Sequence, residues 1–294
     1  MLDYHLHLWP HAQSDAEASV EQVAAYCRRA AEAGVTEIAL TEHLFRFTQA
    51  RDLLGGFWDD LPGEALRPAM EEYWDHHARV DLDSYVEVVL AAKAAGLPVV
   101  LGLEVDYYQD RMDQVAALLA DYPFDVLLGS IHWLGAWRFD VLSEPLMVAE
   151  WDVRDVDAVW DEYTRVMEEL GASGVCDVFA HPDLVKIAGR VPAIPDEFYD
   201  RITEAAVRSG MAAEVSSAGW RKPAGEEYPA PPLLKRLVER GVPLTTASDA
   251  HSLPDVADRV GTIQDLLIGA GVTHVRGFRR REPYDVAVAP PDGD

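Results

Sequence analysis

LDYHLH, residues 2–7, is a short apolar segment in which two histidines alternate with other residues. Side chains two positions apart on a β-strand point to the same face, so Asp3, His5 and His7 would share one face of such a strand. Histidine supplies only 10 of the 294 residues, yet His11 follows a few positions later. The pattern predicts a strand that presents a row of polar side chains at its carboxyl end.

Six further segments have the same strand-like composition: residues 36–43, 98–108, 124–133, 175–184, 211–219 and 243–252. Segments with apolar residues at helical spacing and a terminal glycine lie between some of them, at residues 16–34, 84–96 and 231–241. Strands that alternate with helices predict a parallel sheet with crossover helices. Seven such strands predict an α/β fold, a distorted (β/α)7 barrel one unit short of the eight-stranded form.

Polar residues stand near the ends of most of the predicted strands. Beyond the first strand they are Glu42, His43, Glu104, Asp106, His132, His181, Asp249 and His251. The carboxyl ends of the strands of a parallel barrel meet at one mouth, so these side chains are expected to converge there. A single histidine of this kind is more often a hydrogen-bonded structural residue than a ligand. Six strand ends with the same chemistry instead favour a divalent metal site.

The domain prediction is one barrel over residues 1–282, followed by a polar, loosely ordered tail at 283–294. Residues 44–83 form a long, aromatic-rich insertion after the second strand. A connection of that length is often a functional lid, and the alternative is a surface helix pair without a catalytic role. The sequence leaves both open.

Composition narrows the class of protein. The chain carries 25 basic and 51 acidic residues and a net charge of −26, which disfavours nucleic-acid binding, so Arg279, Arg280 and Arg281 are expected to be a solvated surface patch. Cys27 and Cys176 are expected to be small buried residues. No apolar run reaches the roughly 18 residues of a membrane span and no signal-peptide pattern is present, so we expect a cytoplasmic protein.

The motifs DYHLH, TEH, GLE, GSIH, AHPDL and SDAH occur in this order and resemble the PHP (polymerase and histidinol phosphatase) superfamily of metal-dependent phosphoesterases. Three longer stretches resemble the PHP-type histidinol-phosphatases most: GSIHWLGAWRFD (129–140), SSAGWRKPAGEEYPAPPLLKRL (216–237) and TTASDAHS (245–252). The resemblance runs from residue 3 to about residue 265.

This resemblance implies a trinuclear centre of Zn, Fe or Mn. The first metal would take His5, His7, Glu104 and Asp249; the second would share Glu104 and add His132 and His181; the third would take His43, His251 and one residue of the first loop. His11 is the expected residue, because an imidazole is the commoner ligand at this position in the family. Asp15 is the alternative, because the family's ligand usually lies further beyond the second histidine than His11 does.

The resemblance also implies hydrolysis of L-histidinol phosphate by a metal-bridging hydroxide. The expected catalytic residues are Glu104, Asp249 and His132. Asp3 is expected to orient an imidazole. The expected phosphate-binding cations are Arg221 and Lys186, with Arg190 and Lys222 beside them. Glu71, Trp74 and Asp75 of the insertion are further candidates, for contact with the amine and imidazole of the substrate.

Two other functions stay open at this stage. One is a PHP phosphoesterase that acts on a nucleotide or another small phosphate ester. The other is a non-catalytic, metal-binding PHP module, although such a module would be expected to have lost ligands. The partner is a small phosphorylated molecule if the protein is a histidinol-phosphatase or another phosphoesterase, and the sequence does not fix the oligomeric state.

Overall fold

The computed structural model describes residues 1–10 and 17–288 and confirms the predicted barrel. Seven parallel strands form one sheet in chain order. They are β1 (Leu2–Leu6), β2 (Glu37–His43), β3 (Val99–Asp106), β4 (Val126–Ser130), β5 (Val178–Phe179), β6 (Ala212–Ser216) and β7 (Leu244–Ala247). Every residue in them is buried, as expected for strands covered on both faces.

The barrel closes where β1 meets the end of β7. The backbone N–H of His7 donates to the carbonyl of Ala250 at 2.8 Å, and the Thr246 hydroxyl donates to the carbonyl of Leu2 at 2.7 Å. Leu6 and Ala250 also form an isolated parallel bridge. These contacts bring the two ends of the sheet, and their polar residues, to one mouth.

Ten α-helices belong to the described residues. They are α1 (Val20–Glu32), α2 (Thr48–Leu54), α3 (Arg67–His77), α4 (Leu82–Ala94), α5 (Met112–Leu119), α6 (Pro145–Val153), α7 (Val156–Ser173), α8 (Asp196–Ser209), α9 (Pro231–Glu239) and α10 (Val260–Gly269). The side chain of Ser19 caps α1 by accepting a hydrogen bond from the N–H of Gln22, and Gly34 with φ 82° follows its end. None of these helices is long and apolar enough to cross a membrane.

The insertion at 44–83 contains α2 and α3. It packs on the barrel through an aromatic cluster made of Phe57, Trp58, Trp74, Tyr108 and Trp133, with ring centroids 5.1–6.5 Å apart in the contacting pairs. Tyr108 and Trp133 follow β3 and β4, so the cluster fixes α3 beside the mouth of the barrel.

The predicted tail is wrong for residues 283–287. Strand β8 (His274–Arg279) pairs antiparallel with β9 (Glu282–Ala287). Arg280 and Arg281 connect them with positive φ angles of 50° and 66°, as a two-residue hairpin turn requires. Arginine is not a usual residue in such turns, so the sequence did not mark this hairpin. Residues 289–294 lie outside the described part of the chain.

The predicted arginine surface patch is also wrong in part. The guanidinium of Arg279 pairs with Glu37 at the start of β2, and that of Arg281 pairs with Asp177 just before β5 at 2.9 Å. The N–H of Arg280 donates to Asp125 at 3.1 Å. The arginines therefore attach the hairpin to the amino-terminal end of the barrel, opposite the mouth. Cys27 and Cys176 are buried free thiols, as predicted.

Candidate metal centre

The mouth of the barrel brings together eight of the nine predicted metal ligands. They are His5 on β1, His7 just after it, His43 at the end of β2, Glu104 on β3, His132 after β4, His181 after β5, and Asp249 and His251 after β7. His11 and its alternative Asp15 lie outside the described residues, so their predicted role stays a prediction.

Glu104 lies at the centre of the cluster and faces imidazoles with both carboxylate oxygens. Its Oε2 lies 3.2 Å from His5 Nε2, 3.5 Å from His7 Nε2 and 2.7 Å from His43 Nδ1. Its Oε1 lies 3.3 Å from His132 Nε2 and 3.0 Å from His181 Nε2. A carboxylate placed in this way can serve two metal positions at once.

Asp249 forms a second carboxylate position on the β7 side of the cluster. Its Oδ1 lies 3.9 Å from His5 Nε2, 3.6 Å from His7 Nε2 and 3.5 Å from His251 Nδ1. The residue has φ 51°, in the left-handed region. Such strain in a non-glycine residue is typical of a backbone held in place for a functional side chain.

Four overlapping groups of ligand atoms could each hold a metal ion. They are His7, His43 and His251; His5, Glu104 and His181; His5, His7 and Asp249; and His43, Glu104 and His132. The third group agrees with the predicted first metal. Because His5, His7, His43 and Glu104 each belong to two groups, the geometry alone does not divide the ligands into three separate sets.

Buried carboxylates orient three of the imidazoles. His5 Nδ1 lies 2.8 Å from Glu214 Oε2, His7 Nδ1 lies 3.2 Å from Glu42 Oε1, and His132 Nδ1 lies 2.6 Å from Asp106 Oδ1. Each Nδ1–H that donates to a carboxylate leaves its Nε2 directed at the centre of the cluster. This arrangement fixes the tautomer and raises the basicity of a metal-ligating histidine.

The sequence analysis missed Glu214, since none of the predicted site residues lies on β6. A single acidic residue inside a fully buried apolar strand was the available signal, because a buried charge is costly without a partner.

Asp3 was predicted to orient an imidazole, and that prediction is wrong. Its carboxylate accepts hydrogen bonds from the N–H and hydroxyl of Ser248, both at 2.7 Å, and from the N–H of Ala257. Asp3 therefore holds the loop that carries Asp249.

The charges of the cluster are strongly coupled. Burial would raise the pKa of Glu104, but the imidazoles around it, His5 foremost, hold that pKa well below its usual range. Burial would lower the pKa of His132, but Asp106 and Glu104 outweigh this effect and raise the pKa to about 10. Burial would likewise raise the pKa of Asp249, but His5, His7 and His251 hold that pKa well below its usual range. Glu104 and Asp249 therefore remain ionised and attract positive charge, whether protons or metal ions.

The residues present fit divalent metal ions. Three buried atoms of the cluster, His5 Nε2, His7 Nε2 and Glu104 Oε2, make no hydrogen bond of normal geometry with any residue that the structure describes. Buried polar atoms nearly always have a partner. Imidazole nitrogen and carboxylate oxygen are ordinary ligands of Zn, Fe and Mn, so a cation would satisfy these atoms together.

A cavity of about 190 Å³ opens onto the cluster. Arg221 and Lys222 lie on its wall with ligands of the cluster. The guanidinium of Arg221 donates to Asp258 at 2.7 Å and to the carbonyls of Ser248 and Asp249 at 2.6 and 3.0 Å. Two of the four predicted substrate-binding cations thus lie beside the centre.

The other two predicted cations lie elsewhere. Lys186 is buried, and its ammonium is held by Asp183 at 2.9 Å, by Glu226 at 2.8 Å and by the carbonyl of Glu227 at 2.7 Å. Arg190 pairs with Asp152 at 2.7 Å on the surface. Neither is among the described residues that line the cavity, so their predicted substrate contact stays a prediction. Asp183 is a neighbour of Lys186 in sequence, but Glu226 and Glu227 belong to a remote segment whose contact with Lys186 the sequence does not reveal.

Trp74 and Asp75 of the insertion, predicted to contact the substrate, do not line the mouth of the barrel in the described part of the chain. Asp75 is exposed and paired with Arg51, and Trp74 is buried in the aromatic cluster. A second cleft, of about 770 Å³, is instead lined on the α3 side by Ala69, Glu72, Tyr73, His76 and His77. His76 and His77 are not among the predicted site residues.

The fold and this cluster define the chain as a metal-binding β/α-barrel protein with its site at the carboxyl edge of the strands. A family model described as "PHP domain" matches residues 3–218, and the chain belongs to this family. A Deinococcus radiodurans protein named "Probable histidinol-phosphatase" is 32% identical over 263 residues, which are 88% of this chain and 91% of that protein. The family resemblance found in the motifs is therefore confirmed.

Solved structures share the fold. The histidinol phosphate phosphatase of Lactococcus lactis, complexed with zinc, L-histidinol and phosphate, aligns with a TM-score of 0.67 at 18% identity, over 96% of this chain and 98% of that one. A crystal structure from Listeria monocytogenes aligns with a TM-score of 0.71 at 20% identity, over 89% of this chain and 99% of that one.

Proposed function

We propose that this chain is a metal-dependent phosphomonoesterase that hydrolyses L-histidinol phosphate to L-histidinol and phosphate, as a step of histidine biosynthesis in the cytoplasm. The observation that carries the proposal is the position of Glu104, whose carboxylate lies within 3.5 Å of five imidazoles. The name of the Deinococcus relative and the ligands of the Lactococcus structure support the substrate.

The proposed metal ligands are His5, His7, His11, His43, Glu104, His132, His181, Asp249 and His251, for three divalent ions. Zinc is the metal of the Lactococcus structure and is a candidate here, with Fe and Mn as the others. Bound divalent metals would lower the pKa of a water molecule and neutralise phosphate oxygens.

The chain's own residues keep the ligands in one arrangement. Glu214, Glu42 and Asp106 fix the Nδ1 atoms of three imidazoles, so that their Nε2 atoms need no rearrangement when substrate arrives. Such preorganisation favours catalysis, because the ligands do not have to reorient during the reaction.

Arg221 and Lys222 are the proposed phosphate-binding cations. They line the cavity of about 190 Å³ beside Glu104, which is a suitable size for a phosphate group. Arg221 keeps its guanidinium in place through the carbonyls of Ser248 and Asp249, so its charge is directed by the same loop that carries Asp249. A cation beside the phosphate stabilises charge on the transferring group.

Phosphate release by the purified protein tests the proposal. L-histidinol phosphate should be turned over with a higher kcat/KM than nucleoside monophosphates or p-nitrophenyl phosphate. A nucleotide with the higher kcat/KM would overturn the substrate and leave the metal chemistry standing. If a chelator that removes the metals leaves the activity unchanged, the proposed metal chemistry is wrong.

A further inference from the structure

A large cleft adjoins the cavity over the metal centre. It has a volume of about 770 Å³ and shares Asp140 and Lys222 with the smaller cavity over the cluster. One wall is α3 of the insertion, and the opposite wall is the segment 138–144 that follows His132. The two spaces therefore meet at Asp140 and Lys222.

The ionic groups of the cleft are not equivalent. Arg138 and Glu144 neutralise each other through two hydrogen bonds of 3.0 and 2.6 Å, and Arg138 also lies over the ring of Tyr73. Asp140 differs, because its Oδ1 is buried and has no hydrogen-bond partner within residues 1–10 and 17–288. A carboxylate oxygen left without a partner at the meeting point of two cavities is suited to accept a hydrogen bond from a ligand.

The chemistry of the proposed substrate gives this oxygen a partner. L-histidinol phosphate carries an ammonium group on the carbon next to its ester carbon. If the phosphate lies beside Arg221 and Lys222, the ammonium would lie where the smaller cavity meets the cleft. The imidazole would then extend into the cleft, between α3 and the segment 138–144.

We infer that Asp140 is a specificity-determining residue that accepts a hydrogen bond from the ammonium group vicinal to the phosphate ester. The inference rests on the proposed function, because the phosphate defines where the ammonium lies. The positive neighbours of Asp140 are His132, Lys222 and Arg138. Burial raises the pKa of Asp140, and these neighbours oppose the rise. A bound ammonium group would, like them, favour the ionised carboxylate.

The test compares ligands with and without the amine. Calorimetry in saturating inorganic phosphate measures binding of L-histidinol and of the amine-free alcohol 3-(imidazol-4-yl)propan-1-ol to the metal-loaded protein, with metal content matched between variants. We expect L-histidinol to bind the wild-type protein about 30-fold more tightly, as a charge-assisted hydrogen bond would give. In Asp140→Asn the two ligands should bind within about threefold of each other.

Asp75→Asn is the matched control, since it makes the same chemical change on the outer face of α3, where Asp75 pairs with Arg51. It should keep the wild-type ratio. An Asp140→Asn protein that keeps the full ratio would overturn the inference, and so would a wild-type protein without a preference for the amine.

Kinetics separate this inference from the proposed function. If histidinol phosphate is a poor substrate but O-phosphoethanolamine is preferred over ethyl phosphate, and Asp140→Asn removes that preference, the assigned substrate is wrong and the ammonium site stands. If histidinol phosphate is turned over without any preference for the amine, the function stands and the inference fails.

Discussion

Replacing Glu214 by glutamine should weaken metal binding although Glu214 is not a ligand. Its carboxylate accepts from His5 Nδ1 at 2.8 Å, and both side chains are fully buried. A glutamine amide can donate to Nδ1 instead, which places the ring hydrogen on Nε2, the atom that faces Glu104. The change removes one buried charge-assisted hydrogen bond, worth about 1.5–3 kcal/mol. That loss corresponds to about 10- to 100-fold in metal affinity, the range found for such supporting residues.

The assay is a metal-buffered titration with elemental analysis, followed by phosphate release at matched metal loading. Glu226→Gln is the control, because Glu226 pairs with Lys186 outside the cavity and should bind metal as the wild-type protein does. A Glu214→Gln protein with wild-type metal affinity and turnover would refute the role assigned to the hydrogen bond.

Three further outcomes are expected. Glu104→Gln should lower kcat more than His11→Ala at matched metal loading, because Glu104 contacts five imidazoles; equal losses would contradict this. Arg221→Ala should raise KM for the phosphate ester and also lower kcat, and unchanged kinetics would remove Arg221 from the phosphate site. Burial would raise the pKa of Glu37, but Arg279 and two tyrosines hold that pKa below its ordinary value of 4.5. The ionised carboxylate therefore stabilises the fold above pH 4.5, and this stabilisation is lost in more acidic solution. Glu37→Gln should therefore cost about 1–2 kcal/mol in urea unfolding at pH 7 and less near pH 3, whereas an equal cost at both would contradict the linkage.

The strands were predictable because the barrel buries both faces of each one. Apolar runs bounded by glycine and polar residues therefore marked all seven, and the observed strands fall inside the predicted segments. The ligands at the strand ends followed from the same logic, since parallel strands bring their carboxyl ends to one mouth. The structure brings eight of these side chains together; that they bind metal, and whether His11 or Asp15 completes the set, stay predictions.

The residues around the ligands were less predictable because their roles depend on contacts between remote segments. Lys186 follows a metal motif directly, yet Asp183 and Glu226 hold it in the interior. Asp75 and Glu72 lie on the same helix, and only the packing of the aromatic cluster decides that Glu72 lines the cleft. Charge and spacing in one sequence cannot distinguish such positions.

Metal stoichiometry against activity tests the central claim most directly. The protein is depleted with a chelator and reloaded stepwise, and metal per chain and phosphate release from L-histidinol phosphate are measured on the same samples. The account predicts an inactive depleted protein whose activity rises with loading and is complete at three metals per chain. Full activity with fewer than two metals per chain would contradict it.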